Sequence, residues 1–102
     1  MEQQEVSIER WYSREATYRP QRGGRRTVQL STYSVYLDGV FVGHVYQDVV
    51  SRDKRIPGAR YVLSRYEAVA WRWKDASGHQ LWRVSYPTRK EAIRWLLEGL
   101  DA

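Results

Sequence analysis

The chain has 102 residues and a formal net charge of +5, and its composition is 42% hydrophobic and 14% aromatic. These values are typical of one globular domain, and they exclude a disordered chain or two separately cored units. Cysteine is absent, which excludes disulfide frameworks and thiolate chemistry and fits a reducing compartment. No apolar run approaches the roughly 20 residues that span a bilayer. We expect a single cytoplasmic domain over residues 1–102, without a secretory signal or a membrane partner.

The basic residues are mostly arginine, which accounts for fourteen of the 17 cations, against 12 acids. Arginine matches phosphate geometry and stacks on nucleic-acid bases, so the composition favours an anionic partner. Codon bias in a GC-rich genome explains the excess of arginine over lysine equally well. The charge is uneven, because residues 1–51 carry six arginines and six acids, which leaves the whole net charge in the second half.

The first quarter of the chain contains an acidic segment followed by a basic one. Residues 1–9 are a candidate for a mobile acidic leader. The apolar residues between Val6 and Tyr12 fit a short strand or a helical turn, and the pattern does not decide between them. Residues 19–26 predict a basic loop, since proline and paired glycine interrupt regular structure and the arginines repel one another.

The next segment predicts a β-hairpin. Residues 27–37 alternate as a strand does, although the apolar face changes after Leu30, which indicates a bulge or break. Asp38-Gly39 then separates two β-rich runs and suits a two-residue type I′ turn. The predicted register pairs Leu37 with Val40, Val35 with Val42 and Tyr33 with His44 toward the core. Tyr36 and Phe41 then lie on the opposite face.

Residues 47–60 predict a second basic loop, with Pro57-Gly58 as its break. A strand is predicted over residues 61–66. A second hairpin follows, in which residues 68–74 and 80–86 flank a five-residue turn, Asp75 to His79. Alternation gives this hairpin an aromatic inner face and a basic outer face. The inner face carries Val69, Trp71, Trp73, Trp82, Val84 and Tyr86. The outer face carries Arg72, Lys74 and Arg83 among small residues.

The chain closes with a predicted helix. Thr88 and Glu91 have the spacing of a capping box, and apolar residues from Ala92 to Leu100 follow at helical spacing. We expect Gly99 to end the helix. The predicted fold class is α+β. We expect an antiparallel sheet of two consecutive hairpins and one or more additional strands, packed against one C-terminal helix.

The sequence predicts a binding protein and not an enzyme. It has two histidines, no recognisable catalytic motif and acids scattered among bases, so we expect no catalytic site, no metal and no cofactor. The outer face of the second hairpin would contact bases or groove edges of nucleic acid, most simply duplex DNA. An ordinary polar outer face explains the same residues equally well. Loop cations would bind phosphate. These are Arg22, Arg25, Arg26, Arg52, Lys54, Arg55 and Arg60.

The alternative function is that of a protein-binding adaptor or inhibitor of the kind that phages and mobile elements encode. Its basic surface would meet an acidic protein, and exposed aromatic residues would anchor the interface. The candidates for these anchors are Trp11, Tyr12, Tyr36 and Phe41. Such a surface could also join two copies of the chain as a homodimer.

The last third resembles the AP2-type and integrase arm-binding DNA-binding domains. The resemblance rests on Trp71-Arg72-Trp73-Lys74, on Leu81-Trp82-Arg83-Val84 and on the segment from Ser85 to Ala92, which looks like the strand end and helix start of that family. The hairpin at Asp38-Gly39, with Gly43, is similar to the front of small phage and mobile-element domains. The resemblance implies a sheet packed on one helix, with Arg72, Lys74 and Arg83 facing DNA.

Overall fold

The structure is a computed structural model and describes residues 4–54, 58, 64–81 and 83–100. Its elements are β1 (Val6–Tyr18), β2 (Arg26–Leu37), β3 (Val40–Lys54), β4 (Ser64–Asp75) and α1 (Arg89–Leu100). All neighbouring strands are antiparallel, in the order β1-β2-β3-β4. The predicted α+β architecture, with an antiparallel sheet and one C-terminal helix, is therefore confirmed. None of the described helical residues form a helix long and apolar enough to cross a membrane.

The segment that fitted either a short strand or a helical turn is part of a strand of 13 residues, β1. It begins at Val6, so the second half of the acidic segment belongs to the sheet. The residue before it is held in place, because Glu5 N donates to Asp38 Oδ1 and Asp38 N donates to Glu5 O, both at 2.8 Å. These bonds attach the start of β1 to the first hairpin turn.

The first hairpin forms at the predicted turn, with φ of 51° at Asp38 and 82° at Gly39. Leu37 pairs with Val40 as predicted, but Val40 is exposed and does not reach the core. The register then shifts by one residue, so the predicted pairs of Val35 with Val42 and Tyr33 with His44 are wrong. Val35 pairs with Gly43, and Tyr33 pairs with Val45. An extra residue in β3, a β-bulge, causes the shift.

One face of the sheet, which we call the helix face, packs against α1. Its core consists of Val35, Val45, Trp73, Tyr86, Ala92 and Leu96. Trp71 packs against this core as predicted, whereas Trp82 lies outside the described residues. Glu91 N donates to Thr88 Oγ1 at 3.2 Å, which confirms the predicted cap. The helix does not end at Gly99 but continues to Leu100. Gly99 lies close to the ring of Trp73, because an added methyl group there would be 3.7 Å from Trp73 Cη2.

The second predicted hairpin is only partly correct. The turn forms, with Asp75 N donating to His79 O at 2.9 Å, but the described residues between 80 and 85 form no strand. The chain returns to the edge of β4 at Tyr86, which bridges to Trp71. If the hairpin continued regularly from the pair of Asp75 and His79, Arg83 and not Tyr86 would lie opposite Trp71. The chain therefore makes a three-residue detour, which delivers the Tyr86 ring to the core.

Two other predicted boundaries are wrong. Residues 47–54 are not loop, because β3 continues to Lys54 in unbroken register with β4, from Gln47 opposite Trp71 to Lys54 opposite Ser64. Strand β4 is likewise one strand through residue 67, where two strands were predicted. Hydrogen bonds of the long ladder satisfy the backbone N–H and C=O groups of these polar segments. The sequence of the segments alone does not specify this pairing. The remaining residues of this loop, except Gly58, lie outside the described part of the chain.

The opposite face of the sheet is rolled inward, and we call it the concave face. Glu67 N donates to Arg19 O at 2.7 Å, and Arg19 N donates to Glu67 Oε1 at 2.9 Å. These bonds join the end of β1 to the beginning of β4, so the two edge strands meet at that end, which we call the closed end, although no ladder among the described residues pairs them. Leu30, Val50 and Ala70 are buried on this face. The sheet thus buries different faces at its two ends.

The apolar face change in β2 follows from this rolling. Strand β2 is continuous from Arg26 to Leu37, so the predicted bulge or break within it is wrong. Leu30 is buried on the concave face, and Val35 is buried beneath the helix. The nearby register shift lies in β1 instead, where Trp11 is the extra residue.

Candidate functional site

Five rings meet at the open end of the concave face, and we call them the ring cluster. Its members are Trp11, Tyr12, Tyr36, Phe41 and His44. The indole of Trp11 stacks on His44 at 4.4 Å, and the Phe41 ring lies 4.9 Å from His44. Tyr12 and Tyr36 extend the cluster through Trp11 and Phe41, at 4.8 and 5.9 Å. The structure therefore brings together all four predicted interface aromatics.

His44 is the member that the sequence did not place in this cluster. Its predicted partner was Tyr33 on the core face, but the extra residue in β3 pairs it with Ser34 instead. Ser34 Oγ lies 3.4 Å from His44 Nδ1. The glycine before His44 was the available signal, because an isolated glycine within a strand pattern often marks a bulge.

A second bulge exposes Trp11. Neighbouring residues of a regular strand point to opposite faces, but Trp11 is the extra residue of β1, so it and Tyr12 both reach the concave face. Trp11 is 60% exposed although one side of its indole covers His44. A contiguous exposed patch of large rings is a common feature of binding surfaces.

A cleft of about 550 Å³ lies between the ring cluster and the turn after β4. Trp11, His44, Tyr46, Lys74 and Gln80 are among the residues that line it. Tyr46 OH donates to Gln80 Oε1 at 2.6 Å, which fixes the orientation of the Gln80 amide. The cleft thus combines aromatic walls with a cation and an oriented amide.

The surroundings of His44 and Tyr46 favour their uncharged forms near neutral pH. Burial lowers the pKa of His44, and the charge of Lys74 lowers it further. A hydrogen bond with the Tyr33 backbone raises the pKa but does not cancel these effects. Burial also raises the pKa of Tyr46, although the charge of Arg72 opposes that shift. Lys74 and the carboxylate of Asp75 are therefore the charged side chains at this wall of the cleft.

The turn that borders the cleft is organised by Asp75. Its Oδ1 accepts hydrogen bonds from Ser77 Oγ at 2.6 Å, from His79 N at 2.9 Å and from Ser77 N at 3.0 Å. The bond from the Ser77 side chain is the largest of the effects that lower the pKa of Asp75. This carboxylate stabilises the turn, and His79 is a turn residue as predicted.

Arg72 lies on the predicted face of β4, but its side chain is only 16% exposed. Its Nε lies 3.4 Å from Asp48 Oδ2, and Arg14 Nη2 approaches Asp48 Oδ1 at 3.1 Å. One carboxylate therefore bridges cations from both edge strands across the concave face. Lys74 is exposed two residues further along β4, and Arg83 is exposed on the detour. The three predicted contact residues do not share one flat, open face.

Described cations from both predicted basic loops lie at one end of the sheet, which we call the basic end. The antiparallel order brings the end of β1, the start of β2, the end of β3 and the start of β4 to this end. Its described cations are Arg19, Arg22, Arg25, Arg26, Arg52, Lys54 and Arg65. Asp53 forms an ion pair with Arg65 at 3.5 Å. Arg55 and Arg60 lie outside the described residues.

Cations connect the cleft with the basic end. In the register of β3 and β4, Lys74 is opposite His44, Arg72 is opposite Tyr46 and Arg52 is on the same face further along β3. Arg52 Nη2 also donates to Ser85 Oγ at 3.1 Å. With about 3.3 Å of rise per residue, the distance from His44 to Arg52 along β3 is roughly 25 Å.

Comparisons with protein-family models, curated proteins and solved structures find no match for this chain. The resemblance to AP2-type and integrase arm-binding domains therefore stays a prediction. Of the strand pair on which it rests, β4 forms, whereas the described residues of the second segment, Leu81, Arg83 and Val84, are not in a strand. Among the described residues, no group of His, Asp and Glu side chains is arranged to hold a metal ion.

Proposed function

We propose that this protein binds single-stranded nucleic acid. Unpaired bases stack on the ring cluster, and the sugar-phosphate backbone follows the cations from Lys74 toward the basic end. The observation that carries this proposal is the exposed Trp11 indole, held in place by His44 and adjacent to a cleft that contains Lys74. Aromatic platforms beside a positively charged groove are the usual means of binding single strands.

The ring cluster suits stacking because its rings are supported by one another. Trp11 is held by its contact with His44, and His44 is held by Phe41 and Ser34. A base that stacks on Trp11 therefore meets a surface that is already ordered, which reduces the entropy lost on binding. Each base stacked on an aromatic side chain contributes about 1–3 kcal/mol, measured by alanine substitution.

The shape of the concave face favours a single strand over the duplex predicted from the sequence. A sheet that reads the major groove inserts an open ribbon into it, whereas this face curls inward until β1 meets β4. Arg72, one of the three predicted groove contacts, is bound to Asp48. The faces of duplex bases are also covered by their neighbours, so they are not free to stack on Trp11.

Replacement of Trp11 by alanine tests the proposal. We expect Trp11→Ala to bind labelled DNA or RNA strands of about 12 nucleotides five- to 150-fold more weakly than the wild type, measured by fluorescence anisotropy at low salt. Trp95→Ala is the matched control, because Trp95 is also exposed, at 43%, but lies on α1 and stacks on Tyr86. We expect this control to bind as the wild type does.

Two results would overturn the proposal. One is the absence of binding to any single strand at low salt by the folded wild-type protein. The other is binding that Trp11→Ala and Trp95→Ala weaken equally. Tighter binding to a duplex of the same sequence, with no effect of Trp11→Ala, would instead support the duplex predicted from the sequence.

A second candidate function is binding of an acidic protein, and one observation favours it. Val40 is 65% exposed at the tip of the first hairpin, next to Phe41. An aliphatic tip adds little to base stacking but suits a protein interface with aromatic anchors. An acidic protein added as a competitor in the same titration separates the two functions, because a polyanion without bases would displace strands held by stacking less readily than an unlabelled strand of equal charge does.

A further inference from the structure

We propose that the cleft selects bases that present carbonyl oxygens, so that the protein prefers thymine or uracil over adenine. This inference rests on the proposed function and assigns a base preference to the same site. It is carried by the hydrogen bond from Tyr46 to Gln80, which determines the polar groups that the cleft offers to a ligand.

The oriented amide of Gln80 presents donors. Its Oε1 accepts the hydroxyl proton of Tyr46 at 2.6 Å, so the amide NH2 group is the part that remains for a ligand. In the reverse orientation the amide NH2 would donate to the Tyr46 hydroxyl oxygen, and the hydroxyl proton would lose this acceptor. Because Tyr46 belongs to the central strand β3, the amide is attached to a rigid element.

Lys74 adds further donors to the same wall. Its side chain passes over the turn, where an added methyl group on Gly78 would lie 3.9 Å from Lys74 Cε. The acceptor on this side is Asp75, and its Oδ1 already accepts three hydrogen bonds from the turn. The side chains of Gln80 and Lys74 therefore supply donors to this part of the cleft, whereas one of the two Asp75 carboxylate oxygens is already occupied.

Thymine and uracil match this arrangement because O2 and O4 are both acceptors on the edge of the ring. The acceptors of adenine are ring nitrogens, and its amino group lies beside N1 and N7, where it would meet a second donor of this wall. Stacking area alone would favour purines, since the larger purine ring covers more of an indole. A preference for thymine over adenine would therefore depend on hydrogen bonding in the cleft or on strand flexibility, and a variant can separate these two causes.

The test compares oligo(dT) with oligo(dA) of about 12 nucleotides by fluorescence anisotropy. We expect the wild type to bind oligo(dT) about two- to tenfold more tightly, the range of one hydrogen bond. Gln80→Met removes the donor at similar size, and we expect it to bring this ratio to about one. Gln29→Met is the matched control, because Gln29 is exposed on β2 away from the cleft, and it should keep the wild-type ratio.

The outcomes distinguish this inference from the proposed function. A ratio in Gln80→Met equal to that of the wild type shows that the Gln80 amide does not cause the preference, and it overturns the inference. Equal wild-type binding of both strands, with weaker binding by Trp11→Ala, also overturns the inference but supports the proposed function. Failure of both strands to bind overturns both.

Discussion

Gly43 determines, through the local backbone of β3, which neighbouring side chains face the cleft. Its φ of +155° and its contact with β4 leave no room for a side chain, because an added methyl group would overlap the Lys74 carbonyl oxygen and lie 2.9 Å from Asp75 Cα. The bulge at this position turns His44 toward the rings and Val45 toward the helix. One residue without a side chain thus determines which neighbours reach the core and which reach the cleft.

Gly43→Ala should lower the free energy of unfolding by about 2 to 4 kcal/mol, since the new methyl group meets backbone atoms that cannot move aside without disturbing the β3 and β4 ladder. Urea denaturation measures this change. Gly24→Ala is the control, because nothing lies within 4 Å of a methyl group there. Equal stability of the two variants would contradict the close approach at Gly43.

His44 makes stability depend on pH. Burial and the nearby Lys74 lower its pKa in the folded protein, so the unfolded chain binds the proton more readily. Stability from this residue is therefore present above about pH 6.5 and falls as the pH decreases through the lowered pKa. We expect His44→Phe, which keeps a ring between Trp11 and Phe41, to lose less Tm than the wild type between about pH 7 and pH 5.

The control for this measurement is His79→Phe, which retains His44 and should keep the pH dependence of the wild type. Identical pH dependence in His44→Phe and the wild type would show that burial of His44 does not contribute to acid sensitivity. Thermal unfolding followed by circular dichroism at several pH values is sufficient for the comparison.

At the scale of elements, local chemistry was predictable and long-range pairing was not. The Asp38-Gly39 turn and the Thr88 cap depend on a few adjacent residues, and both form as the sequence predicts. The strand predicted over residues 80–86 has suitable alternation, but Tyr86 reaches the core only if the chain makes a detour. Alternation specifies which side chains share a face and leaves the choice of partner open.

Both strand bulges had the same effect on prediction. Strict alternation placed His44 on the core face and gave Trp11 no definite face. The extra residues in β3 and β1 change these directions, and they assemble the ring cluster from residues that a regular ladder would separate. The candidate interface aromatics were therefore identified by residue type, whereas their grouping around His44 required the structure.

At the scale of the whole molecule, the antiparallel strands place the basic residues and the ring cluster at opposite ends of the sheet. The closed end buries Leu30, Val50 and Ala70 and carries the basic loops, while the open end carries the ring cluster. Closure depends on contacts between Arg19 and Glu67, which are 48 residues apart in sequence. No local pattern specifies a contact at that separation. The sequence therefore predicted the two sets of cations without predicting that they would meet.

This distribution of charge predicts which cations determine the salt dependence of binding. Arg22 and Arg25 lie at the basic end, whereas Lys90 and Arg94 lie on α1. The double variants Arg22→Ala/Arg25→Ala and Lys90→Ala/Arg94→Ala both lower the net charge from +5 to +3, because each removes two cations. Any difference between them therefore reflects the position of the charges and not their number.

We expect the slope of log affinity against log salt to become shallower by about 0.7 for each phosphate that is no longer neutralised, so by about 1.4 in Arg22→Ala/Arg25→Ala. The α1 variant should keep the wild-type slope, because its cations lie away from the path of the strand. Titrations of a single strand at several salt concentrations measure both slopes. Equal slopes in the two variants would mean that the strand does not reach the basic end, and that binding is confined to the ring cluster and the cleft.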